Sequence, residues 1–154
     1  MFNVETHATS HIGRVRKGNE DNYLLLDISD AKAWTSDQED GEFVIETQHF
    51  EIDDNGVVMA VSDGMGGALA GEVASTMAVE TVSEKLLGED IDDTLAPEGH
   101  DHHLITRLHE PNVFANQLLH HQGRNDPQLQ GRGATFPLTS ISPAAADHLR
   151  VAAP

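Results

Sequence analysis

Two short segments of the sequence carry residues that could bind a metal ion and a phosphate group. In the first, Arg16 precedes the adjacent carboxylates Glu20 and Asp21; in the second, Asp63 follows an apolar run and precedes Gly64. Mg²⁺ prefers oxygen ligands and is commonly held by one or two carboxylates and several waters. Gly64 lets its carbonyl approach an ion because it has no Cβ atom, and an arginine fork matches a phosphate monoester. These residue types predict metal-assisted phosphate hydrolysis.

The order of these motifs resembles that of the metal-dependent PPM (PP2C-type) protein serine/threonine phosphatases. The resemblance rests on residues 16–21, on Asp63-Gly64-Met65-Gly66-Gly67 and on the following Gly71-Glu72-Val73-Ala74-Ser75. With methionine after the Asp-Gly pair, the sequence resembles the bacterial branch of that family most. The resemblance continues through residues 115–116 and 125–127 to residues 131–135, where Arg132 stands in the place of the family's usual methionine.

The resemblance implies a role for each matching residue. Asp63 would bridge two Mg²⁺ or Mn²⁺ ions, Gly64 would bind metal through its carbonyl, and Asp21 and Glu20 would hold metal-bound waters. Arg16 would bind the substrate phosphate, and a metal-bridging hydroxide would attack phosphorus directly. The implied substrates are phosphoserine and phosphothreonine proteins, with a cognate serine/threonine kinase as a further partner. The implied fold is α+β, with two antiparallel β-sheets packed as a sandwich and flanked by helices.

The family domain is longer than this chain, and its later motifs have no counterpart here. The run Leu149-Arg150-Val151-Ala152 resembles the strand that leads to a later Gly-Asp motif, which further metal-binding aspartates follow in the family. We therefore expect residues 1–154 to form a single, truncated domain of this type. Within it, we expect residues 111–154 to be an atypical, disturbed segment. We expect little or no phosphatase activity from this chain. The alternative function is that of a catalytically silent phosphatase fragment that acts at most as a binding module.

The composition opposes several other classes of function. The 154 residues carry a formal net charge of -17, which disfavours binding to nucleic acid or to an anionic membrane. No apolar run approaches the roughly 20 residues of a membrane-spanning helix. The chain has no cysteine, which excludes disulfide and thiolate chemistry. We expect a cytoplasmic protein with neither nucleic-acid nor membrane partners.

The apolar pattern predicts several strands before the first long helix. Alternating or continuous apolar runs predict strands at residues 4–8, 22–27, 42–47 and 57–61, with a turn at residues 53–56. Because these strands precede the helices instead of alternating with them, the order favours a largely antiparallel α+β arrangement.

Two segments have helical patterns. Apolar residues recur at every fourth position from Ala74 to Leu86 and predict a helix over residues 71–87 that stops at Gly88. Residues 104–121 also have helical composition, but Pro111 should break or kink that helix, or begin a shorter one. In the next expected strand, Pro137 removes a backbone donor.

Each chemical feature also has an ordinary structural interpretation. Taken alone, Asp63 and Gly64 would be a turn after a strand, and Arg16 a solvated surface arginine. The histidines of residues 100–109 could suggest zinc, but a polar loop without a regular ligand framework favours solvated side chains. A strand, glycines and a helix over residues 57–87 could also bind a dinucleotide. That fingerprint fails, because Leu69 occupies its third glycine position.

Overall fold

Most of the chain folds into strands and helices of ordinary length. The computed structural model describes residues 2–15, 18–36, 45–52, 56–66, 68–88, 100–126, 131–141 and 146–152. These ranges contain the strands β1 (Phe2–Thr9), β2 (Asp21–Asp27), β3 (Lys32–Thr35), β4 (Ile45–Ile52), β5 (Val57–Met65), β6 (Gly133–Ile141) and β7 (Ala146–Ala152), and the helices α1 (Ala68–Leu87) and α2 (His100–Asn125). Neither of these two helices is long and apolar enough to cross a lipid bilayer.

The strands form two antiparallel sheets of unequal size. The larger sheet has the order β3-β2-β5-β6-β7, and the smaller sheet consists of β1 and β4. Residues 22–26 of β2 are all buried, because this strand lies inside the larger sheet and is covered on both faces. The predicted α+β class with antiparallel pairing is confirmed.

Both helices pack on the same face of the larger sheet. The predicted apolar stripe of α1 faces inward, and its small side chains let the helix approach the strands closely. The core between the helices and the sheet contains Leu24, Leu26, Val58, Ala60, Ala74, Ala78, Val79, Val82, Leu86, Leu108, Ala115, Leu119, Ala134, Phe136 and Leu138. Burial of each large apolar side chain in this layer stabilises the fold by about 1.5–3 kcal/mol.

The smaller sheet packs on the opposite face of the larger one. A second core joins Tyr23 and Leu25 of β2 to Phe50 and Ile52 of β4. The rings of Trp34 and Phe50 meet edge to face, with centroids 5.6 Å apart. The described layers are therefore a two-stranded sheet, a five-stranded sheet and a helix pair, which confirms the expected sandwich with helices outside.

The strand predictions are correct in position but not always in length. β4 begins at Ile45, and residues 42–44 of its predicted range lie outside the described residues, as do residues 53–55 of the predicted turn. β5 continues to Met65, beyond its predicted end at residue 61. Asp63 and Gly64 are thus inside a strand that pairs with β2 and β6 on its two sides. The interpretation of these two residues as a turn is wrong.

The predicted effects of two prolines are only partly observed. α2 includes Pro111 in its interior, so the expected break is wrong. Pro111 lies between Leu108 and Ala115 on the buried stripe of α2, and packing there offsets the loss of one helical hydrogen bond. Pro137 lies within β6, and the pairing of β5 with β6 is interrupted beside it before resuming at Asp63.

Two helix boundaries also bear on the predictions. α1 ends at Leu87, and the Gly88 N–H donates to the Glu84 carbonyl at 2.8 Å, which confirms the predicted stop. The histidines at positions 100, 102, 103 and 109 lie within α2 and not in a polar loop. The acidic residues 89–93 that follow α1 lie outside the described residues.

Candidate functional site

The structure brings the two acidic motifs of the sequence together at one end of the larger sheet. Asp21, at the start of β2, is the direct antiparallel partner of Asp63 in β5. Directly opposed residues share a face of the sheet, and their Cβ atoms are about 4.5–5.5 Å apart. On its other side Asp63 is paired with Thr135 of β6. Three oxygen-bearing side chains therefore lie in a row across three strands, on the face away from the helices.

Gly64 occupies a position where a side chain cannot fit. Its N–H donates to the Glu20 carbonyl at 3.0 Å, which ties β5 to the residue just before β2. A Cβ atom on Gly64 would overlap the Gly71 carbonyl oxygen of α1 and lie 2.6 Å from the Glu20 carbonyl oxygen. The absence of a side chain at Gly64 thus lets the first turns of α1 rest directly on the strand pair that carries the aspartates.

Glu20 occupies a different environment from Asp21. A Cβ atom on Gly71 would overlap the Glu20 carboxylate, so the Glu20 side chain lies against the beginning of α1. The first turn of α1 contains no acidic residue of its own. A carboxylate at this end of a helix interacts favourably with the helix dipole. The geometry is thus consistent with Glu20 positioning α1, whereas its predicted contact with metal-bound water stays a prediction.

Asn19 was not singled out in the sequence, yet it orients the aspartate end of β2. Its side-chain carbonyl accepts a hydrogen bond from the Asp21 N–H at 3.2 Å, and its amide donates to the Ser10 hydroxyl at 2.5 Å. An asparagine two residues before a strand is typical of such a local turn, and this is the signal that could have identified it. Asn19 therefore connects the end of β1 to the start of β2.

The predicted phosphate ligand Arg16 lies outside the described residues. The nearest described residue after it, Gly18, is close to the beginning of α1, since a Cβ atom there would lie 3.9 Å from a carboxylate oxygen of Glu72. The role of Arg16 stays a prediction.

The side chain of Arg132 is directed towards α2. Its Nη2 donates to the Gln122 Oε1 at 2.8 Å. Burial lowers the pKa of Arg132, and the charge of Asp126 opposes that shift. Its Nε and Nη1 atoms are buried with no hydrogen-bond partner in the described structure. The guanidinium of Arg132 thus makes one hydrogen bond to α2, and its other two nitrogens are left without hydrogen-bond acceptors.

The aspartate pair is compatible with one hard divalent ion, but not by itself with a two-ion centre. Asp63 is exposed, Asp21 is half-buried, and both carry oxygen donors on one face. Mg²⁺ bound in proteins commonly uses one or two carboxylates and keeps several waters. Among the described residues, no group of three or more histidine, aspartate or glutamate side chains is arranged to hold a metal ion. Further ligands would be needed for a second ion.

The fold of this chain is similar to that of solved bacterial serine/threonine phosphatases. The structure of the Mycobacterium tuberculosis serine/threonine phosphatase PstP/Ppp matches 90% of this chain with 24% sequence identity and a TM-score of 0.54. A bacterial serine phosphatase with an arginine-to-glutamate substitution matches 92% with 19% identity and a TM-score of 0.60. The S. agalactiae serine/threonine phosphatase matches 92% with 18% identity and a TM-score of 0.55.

The match extends over less than half of each of these solved chains. The covered shares are 43%, 49% and 45% of the three phosphatases. No family model matches the sequence, and no curated protein matches it significantly. Because the sequence identities are low, the comparison shows similarity of fold only. The resemblance expected from the sequence is confirmed for the fold.

Proposed function

We propose that this chain carries part of the active centre of a metal-dependent protein serine/threonine phosphatase of the PPM (PP2C) type. The observation that carries the proposal is the direct pairing of Asp21 with Asp63. Two sequence motifs that are far apart in the chain meet there, in a fold that bacterial serine/threonine phosphatases share. The same fold without this pair would support no particular chemistry.

Each residue of the proposed site has a defined task. Asp21 and Asp63 would hold Mg²⁺ or Mn²⁺, and the Gly64 carbonyl would be a further metal ligand, as the resemblance implies. The ion, when bound, would neutralise phosphate charge and activate water for hydrolysis of a phosphate monoester. Asn19 fixes the Asp21 backbone through its hydrogen bond. Arg16 would bind the substrate phosphate, as the resemblance implies.

The proposed substrates are phosphoserine and phosphothreonine proteins, and the proposed further partner is a cognate serine/threonine kinase in the cytoplasm. A net charge of -17 supports the exclusion of nucleic acid and of anionic membranes as partners. It is compatible with phosphoproteins whose phosphorylated segments are basic.

We further propose that this chain alone has little or no phosphatase activity. Two carboxylates can neutralise one divalent ion, whereas two such ions would repel each other with too few ligands between them. The second candidate function is that of a catalytically silent module that binds one metal ion or a protein partner. The small number of ligands around the aspartate pair favours it. In the described part of the chain no third acidic or histidine ligand joins the pair.

Mn²⁺ binding and hydrolysis of a phosphothreonine peptide distinguish these functions. Electron paramagnetic resonance would count bound Mn²⁺ in the unmodified chain and in the variants Asp21→Asn and Asp63→Asn. The matched control is Glu80→Gln, on the exposed side of α1. We expect weak binding of one ion that both aspartate variants abolish and the control retains, with no turnover. Equal Mn²⁺ binding by all four proteins would refute the metal site, and turnover of about 1 per second would refute the proposed inactivity.

A further inference from the structure

A buried polar pair lies directly behind the two aspartates. Asn22 follows Asp21 in β2, is only 4% exposed, and lies on the face of the larger sheet that the helices cover. Its direct partner in β5 is Ser62, which is fully buried and precedes Asp63. The next residues of both strands on that face belong to the apolar core. Because side chains alternate along a strand, the aspartates on one face are backed by this polar pair on the other.

The side chain of Asn22 connects β2 to two other parts of the fold. Its Oδ1 accepts hydrogen bonds from the Ser36 N–H at 3.0 Å and from the Ser36 hydroxyl at 2.8 Å, just after β3. The same oxygen accepts from the Tyr23 N–H at 2.7 Å, and Nδ2 donates to the Thr76 hydroxyl of α1 at 3.5 Å. A buried amide is costly unless it is hydrogen-bonded, so these bonds favour a single position of this side chain.

The hydrogen bonds of Asn22 begin where the main-chain pairing of β2 with β3 ends. That pairing stops at Leu24 and Thr35, whereas the pairing of β2 with β5 continues to Asp21. Ser36 follows β3 directly, and it donates to the Asn22 side chain. The end of β2 that carries Asp21 is therefore held by the main chain of β5 on one side. On the other side it is held by the side chain of Asn22.

We propose that Asn22 is a positioning residue for the metal pair, because its side chain fixes the backbone of Asp21 and so the separation of the two carboxylates. Asn19 accepts from the Asp21 N–H, and Asn22 anchors the peptide that follows, so Asp21 is held on both sides. Removal of a group that orients a metal ligand without touching the ion typically weakens metal binding about 10- to 100-fold. This role rests on the proposed function, in which Asp21 and Asp63 bind the ion.

Mn²⁺ titrations followed by electron paramagnetic resonance test this role. Asn22→Ala removes all four hydrogen bonds of the side chain and should weaken Mn²⁺ binding about tenfold. Ser36→Ala, at a half-buried position, removes one of them and should weaken binding about threefold. That effect should disappear in the double variant, because the two side chains act through one bond. Val79→Ala is the matched control, since it destabilises α1 at a fully buried position and should leave Mn²⁺ affinity unchanged.

A metal-free measurement separates this role from the proposed function. In the presence of a chelator, Asn22→Ala should accelerate hydrogen exchange of the Asp21 amide about tenfold relative to that of Leu26, at the other end of β2. Val79→Ala should leave this ratio unchanged.

The two measurements have separate outcomes. If the unmodified chain binds no Mn²⁺, the proposed function is wrong, and faster exchange at Asp21 in Asn22→Ala still supports the positioning of that residue. If Asn22→Ala does not fold, Ser36→Ala decides by the same two measurements. The positioning role is wrong if these variants bind Mn²⁺ as the unmodified chain does, if exchange at Asp21 does not change, or if Val79→Ala weakens Mn²⁺ binding equally.

Discussion

Asp21 and Asp63 are direct partners across β2 and β5, so two carboxylates share one end of one sheet face. Like charges at directly opposed strand positions destabilise a sheet. The cost is similar in size to the gain from a favourable cross-strand pair, which is about 0.2–1 kcal/mol. A divalent ion bound between the two carboxylates would offset this repulsion.

Removal of one of these charges should therefore stabilise the metal-free chain. We expect Asp63→Asn to raise the free energy of unfolding by about 0.2–1 kcal/mol in the presence of a chelator. Millimolar Mn²⁺ should raise the melting temperature of the unmodified chain and leave that of Asp63→Asn unchanged. Thermal melts followed by circular dichroism measure both effects. A variant that is less stable without metal would show that Asp63 has a structural partner instead.

The close contact between Gly64 and α1 predicts a large penalty for one methyl group. Gly64→Ala would place a Cβ atom against the Gly71 and Glu20 carbonyls, and two backbone segments cannot both move away without displacing α1. We expect a loss of about 2–3 kcal/mol in unfolding free energy, measured by urea denaturation. Gly18→Ala is the matched control, because its nearest neighbour would be 3.9 Å away. Equal stabilities for the two variants would contradict the described packing of α1.

Two buried serines should respond differently to alanine. Ser140 is fully buried, and its hydroxyl has no hydrogen-bond partner in the described structure. Ser140→Ala should therefore stabilise the chain by about 1 kcal/mol, because it removes an unsatisfied polar group. The Ser75 hydroxyl donates to the Glu72 carbonyl at 3.1 Å. Ser75→Ala should give no gain, because the lost bond, worth about 1 kcal/mol, offsets the better helix propensity of alanine. If Ser75→Ala stabilised the chain and Ser140→Ala did not, the described hydrogen bonding of these two serines would be wrong.

The positions of most elements could be predicted from local pattern, because burial imposes a period on each strand and helix. The residues around Ala74 show this, since their spacing by itself defined the buried face of α1. The length of β5 could not be predicted in the same way. Asp63 and Gly64 have low strand propensity, and they are extended because β2 and β6 pair with them on both sides.

Pro111 shows the same limit of prediction from local pattern. A local rule predicted a break at Pro111, but the rule counts only the lost hydrogen bond and the steric clash, about 3 kcal/mol. The buried stripe that continues from Leu108 to Ala115 supplies the compensation, and it depends on α1 being in place. The meeting of Asp21 with Asp63 likewise depends on strand register. The resemblance suggested that meeting, and the residue pattern alone did not.

Arg132 provides the last prediction, because its guanidinium is only partly satisfied. Burial lowers its pKa, one nitrogen donates to Gln122, and two further donors are buried without partners. Leaving charged donors unsatisfied costs more free energy than replacing them with an apolar side chain of similar length. We expect Arg132→Met to raise the unfolding free energy by about 1–2 kcal/mol in urea denaturation.

The matched control for Arg132 is the same substitution at an exposed arginine. Arg124 lies in the last turn of α2, where a cation interacts favourably with the helix dipole. Arg124→Met should therefore be neutral or destabilise the chain by a few tenths of a kcal/mol, at about the lower limit of such interactions. If Arg132→Met also destabilises the chain, the guanidinium must have partners that offset its burial. In that case Arg132 would stabilise this chain.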